Sequence, residues 1–69
     1  MTTIKQEVKD ILRLNMKAKA RLAYEFAKHT YTVDRWIDEN APILTTPQAV
    51  KAISEELLIP ADQILTTHD

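Results

Sequence analysis

Residues Leu22–Ile37 read LAYEFAKHTYTVDRWI, and this stretch decides the fold. Leu22, Ala23 and Phe26 recur at helical spacing, and Val33, Trp36 and Ile37 do so again after an interruption at Ala27-Lys28-His29. The pattern is two helices joined by a tight turn, with Ala or Lys making a change of direction that glycine usually makes. In the second of these helices Thr30, Tyr31, Asp34, Arg35 and Asp38 lie opposite the apolar side and face outward. An outward face of that kind suits insertion into a DNA groove.

Upstream, Asn15 is placed to cap the helix that contains Leu22. Ala18, Leu22 and Phe26 follow one another every four residues, and Lys17, Arg21, Tyr24 and Lys28 occupy another face. Three alanines, Ala18, Ala20 and Ala23, permit close approach of neighbouring helices. Before this, Thr3 and Gln6 have capping-box spacing, and Ile4, Val8, Ile11 and Leu12 form an amphipathic stripe. A first helix is expected over about Ile4 to Leu14, with Lys5, Lys9 and Arg13 in water.

Downstream, the third helix must end before Pro42, because proline disfavours a helical residue at Ala41, and Asn40 stands in for a glycine stop. Ile43 and Leu44 are expected to fold back on the core. Thr45 or Thr46 then caps a fourth helix, with Pro47 at its first position and Gln48 completing Thr45-x-x-Gln48. Val50, Ile53 and Leu57 form its buried stripe, with Ala49 and Ala52 beside them, while Glu55 and Glu56 are expected to be solvated. Pro60 breaks this helix, a short fifth helix comes next with Ile64 and Leu65 as anchors, and residues 66–69 are expected to be a loose tail.

Sixty-nine residues make one domain, 1–69, in an all-α class: a bundle of about five short helices with the central motif at about residues 17–38. A chain of this size buries only about 60% of its unfolded surface. With no cysteine there is no disulfide and no thiolate metal site, and a reducing cytoplasm is the default compartment. No apolar run approaches the roughly 20 residues that span a bilayer. The early charges Lys5, Glu7, Lys9 and Asp10 replace an apolar signal core. The chain has no glycine, which excludes glycine-rich phosphate loops and favours helices over tight hairpins.

Catalysis is not expected. There is no cysteine, no paired carboxylate with a nearby histidine, and a serine nucleophile would have to be Ser54, alone with no base. His29 reads as a solvated turn residue and His68 lies in the tail, so no metal, cofactor or small-molecule ligand is expected. The net charge of −1 conceals an asymmetry. Residues 1–36 hold eight Lys/Arg against four acids, +4, whereas residues 37–69 hold Lys51 against six acids, −5. Such polarity can orient a small protein on a polyanion.

The run LAYEFAKHTYTVDRWI, continued by NAPILTTPQAVKAISEELLIPADQIL, resembles the lambda-repressor-like helix-turn-helix family, which includes Cro proteins and xenobiotic-response-element regulators. The likeness rests on Leu22-Ala23, the small turn residue Ala27, Val33 and Trp36, and Pro47 through Leu65, and covers roughly residues 8–66. The family's turn glycine is here Ala27, its glycine after the third helix is replaced within Asp38-Glu39-Asn40, and its Glu after Trp is Ile37. The resemblance implies a small sequence-specific DNA-binding transcriptional regulator of phage or mobile-element type. It also implies that the third helix reads the major groove, often as a two-fold dimer on double-stranded DNA.

Carried over by position, Thr30, Tyr31 and Arg35 are the candidates for base contact. Lys17, Lys19, Arg21, Lys28 and Thr32 are the candidates for phosphate contact. Asp34 would accept from cytosine, pair with Arg35 or sit near the N-terminal dipole of the third helix. A dimer contact would draw on Ile43, Leu44, Ile59 or residues near Pro60. The alternative is a helical protein–protein interaction module on the same scaffold without DNA binding, favoured by the acidic second half and by Asp38 and Glu39 beside the reading helix.

Overall fold

Asn15 is both the end of one helix and the start of the next, and the fold is built outward from that corner. In the computed structural model, which describes residues 2–67, helix α1 (Gln6–Leu14) ends there and α2 (Met16–Phe26) begins. The Asn15 side chain accepts from the Ala18 amide at 3.0 Å, satisfying a donor that the first turn of α2 would leave orphaned. Helix α3 (Thr30–Glu39) comes next, then a 3-10 turn over Pro42–Thr45, helix α4 (Pro47–Leu57) and a second 3-10 turn over Ala61–Gln63. Thr46, not Thr45, caps α4 through the Ala49 amide, with Pro47 in the first turn where its missing N–H costs nothing.

The described residues form a mostly helical bundle of four α-helices, not five. After Pro60 the chain makes a single 3-10 turn and enters strand β2 (Leu65–Thr67), which pairs antiparallel with β1 (Thr2–Ile4). The register sets Thr2 against Thr67, Thr3 against Thr66 and Ile4 against Leu65. These segments are rich in β-branched residues, which suit a pleated strand better than a helix. The pairing overturns two expectations. The capping box at Thr3 does not form: Thr3 is a buried strand residue, the Lys5 amide bonds the Ile64 carbonyl at 2.9 Å, and Gln6 donates to Asp10. Thr66 and Thr67 belong to a strand instead of a loose tail, while His68 and Asp69 lie outside the described residues.

The core draws on every helix. Leu12, Leu22, Val33, Ile37, Leu44, Ile53 and Ile64 are fully buried, with Ile4 and Val8 beside them. Helix α2 is central and packs on both α3 and α4. Buried Ala18 and Ala23 on α2, and Ala49 and Ala52 on α4, keep side-chain bulk out of the packed layer. Leu44 folds back fully and Ile43 partly, as expected. Val50 and Leu57 pack only on the margin, and Ile11, expected in the buried stripe of α1, is 47% exposed. Among the described residues no helix is long and apolar enough to cross a membrane.

Candidate nucleic-acid interface

The α2–turn–α3 unit is closed by backbone geometry. Ala27 adopts the left-handed conformation (φ 53°, ψ 46°) immediately after α2. Its amide bonds the Tyr24 carbonyl at 3.2 Å, and the Lys28 amide bonds the Ala23 carbonyl at 2.8 Å. That pair of bonds is the Schellman arrangement, which satisfies the last carbonyls of a helix while reversing the chain. In a chain with no glycine, alanine accepts the left-handed conformation at a cost of about 1 kcal/mol. Three residues later α3 begins, with His29 as its cap but with no side-chain hydrogen bond at that cap. The same device ends α3: Asn40 is left-handed (φ 52°), and the Ala41 amide bonds the Trp36 carbonyl at 2.9 Å.

Three contacts fix α3 against its neighbours. Phe26 and Trp36 meet edge to face, with ring centroids 5.6 Å apart, so Trp36 lies at the core margin and is half-buried. The Lys19 ammonium reaches Asp34 at 3.1 Å, and the Lys19 side chain is only 9% exposed. From α1, Arg13 pairs with Asp38 at 3.1 Å, and buried Lys9 donates to the Asn40 side chain at 2.8 Å. These two cations sit at the C-terminal end of α3, where the helix dipole favours positive charge.

Outward from this frame lie Thr30, Tyr31 and Arg35, all exposed on α3. Tyr31 stacks on the His29 ring at 5.6 Å with the planes 12° apart. Arg35 approaches Glu39 at 3.7 Å, a wide contact between two exposed side chains one turn apart. Thr32 is half-buried. Lys17 and Lys28 stand exposed at opposite ends of α2 with no ion pair among the described residues.

The other two phosphate candidates are placed differently. Lys19 is spent on Asp34. Arg21 is half-buried and held by three carboxylates: Glu25 at 2.8 Å, Glu55 at 2.7 Å and Glu56 at 3.3 Å. These hydrogen bonds, Glu25 first and Glu55 next, raise the Arg21 pKa well above its usual range. In return Arg21, with help from Gln48, holds the Glu25 carboxyl below its usual range. Neither Lys19 nor Arg21 offers a free cation to a phosphate. Both tie helices together: Lys19 joins α2 to α3, and Arg21 joins α2 to α4.

Gln48, expected to complete a capping box within its own helix, crosses to α2 and donates to the Glu25 carbonyl at 3.0 Å. Arg21, Glu25, Pro47, Gln48 and Lys51 line a shallow open depression there. Ser54 donates to the Ile59 carbonyl at 2.7 Å and so stabilises the chain reversal before Pro60. No group of three His, Asp or Glu able to hold a metal occurs among the described residues.

Sequence reading missed the Lys19–Asp34, Arg21–Glu55 and Arg21–Glu56 pairs because each joins residues from different helices. The spacing that signals a helix face says nothing about which face meets which. Of the residues expected at a dimer contact, Leu44 is buried, Ile43 and Ile59 are partly buried against the core, and Pro60 is exposed. Among the described residues the large apolar side chains that are exposed are Ile11, Leu14, Met16, Tyr24, Tyr31 and Leu58. Comparison with protein-family models, curated proteins and solved structures gives no match for this chain.

Proposed function

We propose that the chain is a small sequence-specific DNA-binding regulator in which α3 enters the major groove. The observation that carries this reading is the α2–α3 pair itself. A three-residue turn closed by left-handed Ala27 holds the two helices together, and Thr30, Tyr31 and Arg35 are exposed on the outer side of α3. Arg35 would donate to guanine, the commonest specific contact, worth about 1–3 kcal/mol of discrimination. Its contact with Glu39 is long and exposed, so little is lost in exchanging it for a base. Tyr31 would reach a thymine methyl or, through its hydroxyl, a phosphate. Lys17, Lys28 and the Thr32 hydroxyl make up the phosphate set, with Lys19 and Arg21 left to structural roles. Arg13 offsets the repulsion that Asp38 would otherwise exert on a phosphate backbone.

A second reading, a protein-binding module on the same scaffold, is favoured by one observation. Of the eight cations in residues 1–36, Lys5, Lys17 and Lys28 have neither an ion pair nor a side-chain hydrogen bond among the described residues. Selection of bound duplexes from a random DNA pool at low and moderate salt separates the two. The DNA reading expects an enriched motif whose binding weakens as salt rises. A stoichiometric protein partner, with no retained duplex at low salt, would establish the second reading instead.

A further inference from the structure

Asp34 places a carboxylate among Thr30, Tyr31 and Arg35, the residues through which α3 would meet DNA. It follows Thr30 by four residues and Tyr31 by three, the spacings of neighbours on a helix surface, and it directly precedes Arg35. Its side chain is 48% exposed, so it borders solvent while also reaching back to α2. There the Lys19 ammonium holds Oδ1 at 3.1 Å, from a side chain that is only 9% exposed. Arg35 turns instead to Glu39.

An apolar pair of similar volume would join α2 to α3 as well as this ion pair does. What the ion pair adds is a carboxylate of fixed position with half its surface open. A bare carboxylate is repelled by a phosphate backbone, and an ammonium fixed beside it offsets that repulsion. A carboxylate only accepts hydrogen bonds, so it can read only an amino group on a base edge. In the major groove cytosine N4 and adenine N6 are the amino donors. Adenine sets its N7 acceptor beside the amino group, where it opposes the second carboxylate oxygen. Cytosine has no acceptor on that edge and is therefore the better partner.

We infer that Asp34 reads a cytosine in the target duplex and that Lys19 is the residue that positions its carboxylate. The inference rests on the DNA-binding reading and deepens it by naming a second base of the site. That cytosine lies in the same base pair as the guanine read by Arg35 or in a neighbouring one. Consecutive Cα atoms are about 3.8 Å apart and stacked base pairs about 3.4 Å apart, so adjacent residues reach adjacent bases.

Selection from a random duplex pool by the full chain, Asp34→Asn and Lys19→Gln tests it. The original chain is expected to prefer cytosine over adenine at least about fivefold at one position beside the guanine. Asp34→Asn is expected to exchange that cytosine for adenine and keep the guanine, because an asparagine amide pairs with adenine N6 and N7. The double variant Lys19→Gln with Asp34→Asn strands no charge, so it is expected to show the same exchange even where the single variant folds poorly. Lys19→Gln alone is expected to lose the cytosine preference and retain the guanine preference, whereas a general loosening of α2 against α3 would erode both. A motif without that cytosine overturns the inference, as does cytosine retained by both variants that carry Asn at position 34. Equal erosion of both preferences in Lys19→Gln overturns the positioning role. If Arg35→Ala loses the guanine while Asp34→Asn changes nothing, this inference fails and the DNA-binding reading stands. A pool with no enrichment overturns both.

Discussion

Ala27 carries the turn on which the helix pair depends, and it does so at a cost glycine would not bear. An alanine in the left-handed region sets its Cβ against the following carbonyl, about 1 kcal/mol of strain that the two Schellman bonds offset. Ala27→Gly should therefore stabilise the fold by about 0.5–1 kcal/mol, seen as a rise of roughly 2–8 °C in a thermal melt. Leu58, also left-handed and 88% exposed, should respond in the same direction. Lys19 poses the opposite problem, a nearly enclosed ammonium whose charge is matched by Asp34. Asp34→Ala should cost about 1–2 kcal/mol in urea unfolding, less than a fully buried pair because Asp34 is half in solvent. Lys19→Met added to Asp34→Ala should recover part of that loss by removing the stranded charge.

The helices were legible in the sequence wherever their signals are local. Asn15, Asn40 and Pro47 mark three boundaries through bonds or clashes within a few residues, and the α2 and α3 periodicities place Leu22, Val33 and Ile37 in the core. The strands were not legible, because three residues carry no period and the partner of Thr3 lies at Thr66. A capping-box spacing at Thr3 then read as a helix start.

The Arg21 cluster was invisible for the same reason, since Glu55 and Glu56 lie more than thirty residues away. It has a consequence for acid stability. Glu25 is held below its usual carboxyl pKa by Arg21 and then Gln48. A carboxyl depressed on folding contributes stability above its unfolded pKa, 4.5, and loses it as the pH falls through the lower folded value. Melting temperature should thus decline as pH drops below about 4.5, and Glu25→Gln should lack that part of the decline.

Across the whole molecule, charge decides more than composition shows. The basic first half looked like a polyanion-binding surface, but folding directs Arg13 and Lys9 to the acidic end of α3, Lys19 to Asp34 and Arg21 to α4. The groups left outward are fewer and more specific: Lys17, Lys28, and the α3 group Thr30, Tyr31 and Arg35. A domain with so few free cations draws little affinity from phosphates alone, so under the DNA-binding account its discrimination must come from α3. That account is tested most directly by running the random-duplex selection side by side for the original chain and Arg35→Ala. The account predicts a defined motif for the original chain. It also predicts loss of preference at a guanine position for the variant, equivalent to about 1–3 kcal/mol, with no change in melting temperature. An unenriched pool for the original chain, or the same motif recovered equally by both proteins, would contradict it.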